Sequence, residues 1–129
     1  LVFAAEVGAK LAMATLACVG RPSHEGFGST VIDGNSPRHL VGSLVIALPA
    51  AVVAVPATAV VVLTGPLLAL GLSGWAHRRL DGVGGDVFGA ANELTRAVAL
   101  HVGVAAWSLF GGVRSVPLVD WEVLAWTLW

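Results

Sequence analysis

The chain has 129 residues, 57% of them hydrophobic and 12% charged, with a net charge of −1. Soluble domains carry roughly 25% charged residues, so this composition, with a mean hydropathy of +0.85, points to the membrane. The balanced charge offers no basic stripe for nucleic acid, and the single Cys18 excludes an internal disulfide framework or a Cys-cluster metal site.

Residues 1–19 predict a first apolar helix with Glu6 and Lys10 embedded in it. Their i, i+4 spacing suits a mutual ion pair that lets both enter the membrane. The alternative is that both face a polar cavity. No basic segment precedes the apolar run, so nothing here resembles a cleavable leader. Residues 20–39, GRPSHEGFGSTVIDGNSPRH, predict a polar loop, because their Gly, Pro, Ser and Asn content marks turns.

Residues 40–76 form a run of 37 with no charged side chain. A bilayer core needs about 20 helical residues, so this run suits two crossings joined by a tight turn. Pro56 places that turn near residues 55–58, with arms over roughly 40–54 and 57–76. Pro49 and Pro66 are expected to kink their helices, which membrane helices tolerate. Residues 77–85 read as a second polar loop and 86–110 as a further helix, broken over 111–115. The tail over 116–129 is too short and polar to cross easily. Its Trp121, Trp126 and Trp129, with Trp107 before them, suit an interfacial helix, and Trp75 falls where the third helix should leave the membrane.

The expected fold is therefore all-α: a single polytopic membrane domain with about four transmembrane helices and a short interfacial C-terminal helix. Arg21 and Arg38 lie in the first loop, Arg78 and Arg79 in the second. A helical hairpin separates the loops, so both face one side, which the positive-inside rule makes cytoplasmic at the plasma membrane. Arg114 alone falls on the other side.

The second loop carries the chemistry. Gly82, Gly84, Gly85 and Gly89 surround Asp86. Glycines let a backbone approach a ligand closely, and a following helix N-terminus favours phosphate. Arg78 and Arg79 add forked donors suited to phosphate. Asp86 would repel phosphate unless a cation such as Mg²⁺ lies between them. Asp86 and Glu93 are seven residues apart, on one helix face, with Asn92 just off it. A plain alternative stands beside this: a solvated turn with snorkelling cations, Asp86 an N-cap, and Glu93 paired with Arg96 three residues on. Glu93 weighs towards function because ionisable groups inside apolar helices usually are functional. His24, His39, His77 and His101 lack metal-ligand spacing and read as surface or packing residues.

The run HRRLDGVGGDVFGAANEL resembles the C-terminal signature of the adenosylcobinamide-GDP ribazoletransferase (cobalamin synthase) family. That signature has a basic pair before Leu-Gly-Gly-x-x-Gly-Asp-x-x-Gly-Ala-x-x-Glu-Leu. Arg78, Arg79, Leu80, Gly82, Gly85, Asp86, Gly89, Ala90, Glu93 and Leu94 fit it. Asp81 replaces the first family glycine, and Gly84 stands where Thr or Ser is frequent. In the first loop, Glu25, Gly26, Phe27 and Gly28 resemble the family's Glu-Gly-Leu-Gly stretch. Members are about twice this length, and their N-terminal half carries an Asp-Gly-x-x-Asp-x-x-Asp-Gly motif that this chain lacks. With Leu1 first, a C-terminal portion of the enzyme is the simplest expectation.

The resemblance implies a transferase of cobalamin biosynthesis. It would join adenosylcobinamide-GDP and α-ribazole, or its 5′-phosphate, and release GMP. It further implies that Asp86 helps hold Mg²⁺ with carboxylates of the missing half, that Arg78 and Arg79 contact the GDP phosphates, and that Gly84 and Gly85 offer backbone N–H groups. Lys10 and Glu93 would line the polar cavity, as substrate contacts or as support behind a metal ligand. Three other readings remain open: a small subunit of a transporter or channel with Glu6, Lys10 and Glu93 as an ion path, another membrane phosphotransferase, and a purely structural membrane protein. A CDP-alcohol phosphotransferase needs more aspartates at helical spacing than Asp81 and Asp86.

Overall fold

A computed structural model describes residues 1–52 and 56–109. Every regular element in them is a helix: α1 Val2–Val19, α2 Phe27–Asp33, α3 Pro37–Val52, α4 Ala57–Arg79 and α5 Gly85–Leu109. The expected all-α class is borne out. The expected break over 111–115 and the interfacial tail lie outside the described residues, as does part of the hairpin turn.

Three boundaries differ from expectation. The first polar loop is not all turn, because GSTVID closes into α2. Ser29 supplies the reason: its Oγ accepts from the Gly26 N–H at 2.9 Å and donates to the Gly26 carbonyl at 2.8 Å. Ile32 then buries one face of that short helix. At the second boundary, α3 starts at Pro37, where a first-turn proline needs no N–H partner, so Arg38 and His39 are helical. At the third, α4 runs on through His77, Arg78 and Arg79, whose positive charges suit a helix C-terminus. Pro49 and Pro66 both sit inside continuous helices.

Helix α1 is the centre of the bundle and packs against each of the other four. Its inward face is built from small residues: Ala4, Ala5, Gly8, Ala9 and Ala12 are all buried. The matching stripe on α4 is Val61, Gly65 and Ala69, spaced four apart and buried. A Cβ on Gly65 would run into the Gly8 carbonyl and lie 3.3 Å from the Ala12 nitrogen. The two backbones therefore touch, as small-residue stripes allow in membrane helices. Across the hairpin, Thr58 Oγ1 donates to the Ala51 carbonyl at 2.9 Å and ties α4 to the end of α3.

Two of the helices, α1 and α4, are long and apolar enough to cross a membrane, and α3 is a shorter apolar helix. Large apolar side chains cover the outside: Val41, Val45, Ile46 and Leu48 on α3, Leu63, Leu67 and Leu70 on α4. Such an outer surface suits lipid, since water would leave that area unburied.

Candidate functional site

The two glycine-rich loops meet at one end of the bundle. Pro22 and Val83 form a parallel bridge. The Val83 N–H donates to the Arg21 carbonyl at 2.7 Å, and the Ser23 N–H to the Val83 carbonyl at 3.4 Å. His77 adds a third tie, its Nε2 accepting from the Arg21 N–H at 3.1 Å. That bond requires the proton of a neutral imidazole to sit on Nδ1.

Glycine is needed at two points of this layer. Gly82 has φ +145°, and a Cβ there would lie 2.7 Å from both the Arg21 carbonyl oxygen and the Ser23 nitrogen. A Cβ on Gly28 would lie 3.2 Å from the Gly84 Cα. The neighbouring Asp81 has φ +57°, a left-handed conformation that Asp tolerates and Gly adopts freely. This accounts for the expected family glycine at that position and for why an Asp fills it here.

The tie between the loops places the end of α4 and the start of α5 side by side. Leu80 and Gly82 both donate to the Ala76 carbonyl, at 2.8 and 3.3 Å, so the turn folds back on α4. Val87 and Phe88 donate to the Gly84 carbonyl, which opens α5. Arg78 and Arg79 are exposed and border a surface depression of about 510 Å³ over Gly71, Gly74 and Trp75. Gly85 has open space around it. Gly84 faces the first loop, where a Cβ would lie 3.4 Å from both His24 Cε1 and Ser23 Oγ. Asp86 is exposed in the first turn of α5, two places further in than the N-cap position at Gly84, and makes no ion pair among the described residues. No group of three or more His, Cys, Asp or Glu converges among the described residues as a metal site would require. Asp86 is thus at most one ligand of a metal, and the described residues do not complete a site.

A second polar layer lies below. Seven residues of α5 separate Asp86 from Glu93, a rise of about 10 Å. Lys10 Nζ donates to Asn92 Oδ1 at 3.0 Å, and Asn92 Nδ2 donates to Glu93 Oε1 at 3.0 Å. Arg96 Nη1 donates to both Glu93 oxygens, at 3.0 and 2.9 Å. Arg96 also donates from Nε to Glu6 Oε1 and from Nη2 to Glu6 Oε2, the latter at 3.1 Å. One hydrogen-bonded chain therefore runs Lys10–Asn92–Glu93–Arg96–Glu6 and joins α1 to α5.

This corrects one expectation. Glu6 and Lys10 do not pair with each other: the ion pairs among the described residues are Arg96–Glu6 and Arg96–Glu93. The reason is geometric, since the planar guanidinium fork matches a carboxylate at two points and an ammonium at one. The structure does bring Lys10 and Glu93 together, through Asn92. It does not join either to Asp86, Arg78 or Arg79 by any hydrogen bond among the described residues. Sequence reasoning missed His77 as the tie between the loops and Arg96 as the hub. Half of that hub was anticipated, the Glu93–Arg96 pair; the Glu6 contact was not, because Lys10 one turn on offered Glu6 a nearer cation.

Known proteins match this sequence. The family model for cobalamin-5-phosphate synthase matches residues 1–104. The chain is 46% identical over 114 residues to an adenosylcobinamide-GDP ribazoletransferase of Haloquadratum walsbyi, covering 84% of this chain and 44% of that protein. It is 46% identical over 117 residues to the enzyme of the same name from Halorubrum lacusprofundi, covering 85% and 44%. A third, from Halobacterium salinarum, is 42% identical over 111 residues, covering 84% and 56%. The chain thus spans about half the length of these curated relatives. No solved structure matches it. With both glycine-rich loops and the helices between them inside the matched span, the chain belongs to the cobalamin-5-phosphate synthase family.

Proposed function

We propose that this chain is the phosphate-handling part of an adenosylcobinamide-GDP ribazoletransferase. A ribose hydroxyl of α-ribazole, or of its 5′-phosphate, attacks the phosphorus next to cobinamide; the 5′ position is not the nucleophile, because a 5′-phosphate survives into the product. The bond from that phosphorus to the bridging oxygen breaks, and GMP leaves with the oxygen. The attacking hydroxyl keeps its own oxygen, and its proton goes to solvent. The products are adenosylcobalamin, or its 5′-phosphate, and GMP.

The observation that carries this reading is the clamped loop layer, which brings two arginines and a helix N-terminus to one end of the bundle. Phosphoryl transfer depends mainly on positioning and charge neutralisation. Arg78 and Arg79 are assigned to the diphosphate, and the free N–H groups at Gly84 and Gly85 to its oxygens. Asp86, open to solvent, is this chain's ligand for Mg²⁺. Phosphate oxygens and carboxylates from the portion of the enzyme that the chain does not cover would supply the other ligands. When bound, the cation neutralises phosphate charge. Lys10 and Glu93 form the wall below, Lys10 meeting substrate and Glu93 holding Asn92 and Arg96 in place.

We further propose that four helices, α1, α3, α4 and α5, cross the plasma membrane, with both polar loops on the cytoplasmic side. At about 1.5 Å per residue, α3 rises about 24 Å and α5 about 37 Å. The pairing of Arg96 with two glutamates, and the joining of Lys10 through Asn92, bring the four charges to zero and support burial of α5, which otherwise carries too much charge.

The test is Asp86→Asn in the full-length enzyme. GMP release from adenosylcobinamide-GDP should fall at least 100-fold while the protein stays in the membrane. Near-normal turnover would remove Asp86 from the metal site.

A further inference from the structure

We propose that Arg96 is a positioning residue: by holding the Glu6 carboxylate, it keeps the Lys10 ammonium free to take the phosphate of the acceptor in the groove between α1 and α3. This rests on the ribazoletransferase reading and names one part of its site.

Lys10 is a cation whose natural partner has been taken. Glu6 lies one turn earlier on the same helix, within reach of an i, i+4 pair. Both Glu6 oxygens are instead held by Arg96 from across the bundle. The hydrogen bond found for Lys10 among the described residues goes to the neutral amide oxygen of Asn92. That bond ties the ammonium to α5 without neutralising it and uses one of its three N–H groups, while the Lys10 side chain also lines the groove on the α3 side. Arg96 achieves this because its fork serves two carboxylates at once, which a lysine there would not.

The groove gives the free cation a ligand class. It encloses about 470 Å³, with Phe3, Val7, Leu11 and Ile46 as apolar walls and Glu6 and Lys10 at its polar edge. Ligand sites are mostly apolar with a few placed polar groups. A flat apolar base carrying one phosphate fits that pattern. The four charges of the wall, Glu6, Glu93, Arg96 and Lys10, sum to zero (−2 + 2), so the wall does not repel an anion at range. Lys10 supplies the local attraction.

The test measures dissociation constants of α-ribazole 5′-phosphate and of α-ribazole on the full-length enzyme, purified in phospholipid-free detergent. Arg96→Gln should weaken the phosphate ligand roughly tenfold, the loss of one charge-assisted contact, because the released Glu6 turns to Lys10. Affinity for α-ribazole should not change. Adding Glu6→Gln to Arg96→Gln should restore the phosphate ligand, a rescue that a merely structural role would not produce. Lys10→Met should match the loss, and Arg96→Gln should add nothing to it. If Arg96→Gln does not accumulate, the comparison is Glu6→Gln, which should keep affinity, against Lys10→Met, which should lose it. Equal losses for both ligands, no rescue, or a wild type blind to the phosphate would each overturn the proposal. So would a stoichiometric phospholipid that co-purifies and is lost in Lys10→Met, because the ammonium would then belong to a lipid headgroup. A wild type that binds the acceptor phosphate yet releases no GMP would sink the transferase reading and leave this inference standing.

Discussion

Gly82→Ala tests the loop clamp directly. The residue sits at φ +145°, where an L side chain costs about 1–3 kcal/mol. The new Cβ would also lie 2.7 Å from the Arg21 oxygen and the Ser23 nitrogen and 2.8 Å from the Pro22 carbonyl carbon. All three are backbone atoms, so no side chain can swing aside. The first loop must move away and give up its two bonds to Val83, each worth about 1 kcal/mol. The sum is about 3–5 kcal/mol, against a total stability of about 5–15 kcal/mol for an ordinary domain. At roughly 2–8 °C per kcal/mol, the melting temperature should fall by about 10 °C or more. Cys18 reports it conveniently: it is buried in α1 and is the chain's single cysteine, so a maleimide dye in detergent reads its exposure. Gly42→Ala is the control, because its Cβ meets nothing within 4 Å in the middle of α3. Ala there should stabilise by about 0.5–1 kcal/mol. A Gly82→Ala protein melting within about 2 °C of wild type would refute the argument that the loops are locked together.

Gly65→Ala should destabilise by about 1–3 kcal/mol or more through overpacking, since its Cβ points into the Gly8 backbone; thermal unfolding with the same dye measures it. His77→Ala removes the acceptor for the Arg21 N–H and should cost about 1 kcal/mol, while His77→Asn, which keeps an acceptor, should recover part of it in the same melt. Asp81→Val should cost about 1–2 kcal/mol, because a β-branched residue resists the left-handed conformation at φ +57°, and Asp81→Gly should not; unfolding midpoints of the two variants decide it.

The helical order was legible because it rests on composition. A run of 37 uncharged residues and two glycine-dense interruptions leave few other arrangements in a bilayer. The meeting of the two loops followed from counting crossings between them. What stayed hidden depends on partners far away in sequence. Helix α2 forms because Ser29 caps Gly26 and Ile32 finds a core, neither of which a turn-rich composition announces. Glu6 and Lys10 look like a pair at i, i+4 until Arg96, 90 positions on, is folded beside them. His77 carried no motif at all. Its role comes from the loop it happens to face.

The Arg96–Glu6 pair also bears on how the chain is made. Ribosomes add about 5–20 residues per second, so Glu6 exists for roughly 5–18 s before a partner 90 positions later is synthesised. During that interval α1 carries a carboxylate and an ammonium with no α5 to receive them. Of the charges in this chain, the i, i+4 neighbours are then the nearest to each other, and such a local pair shields both until α5 arrives. Arg96 dissolves that provisional pairing when it docks. Helix α1 thus meets two electrostatic environments in succession, one before α5 is made and one after α5 docks.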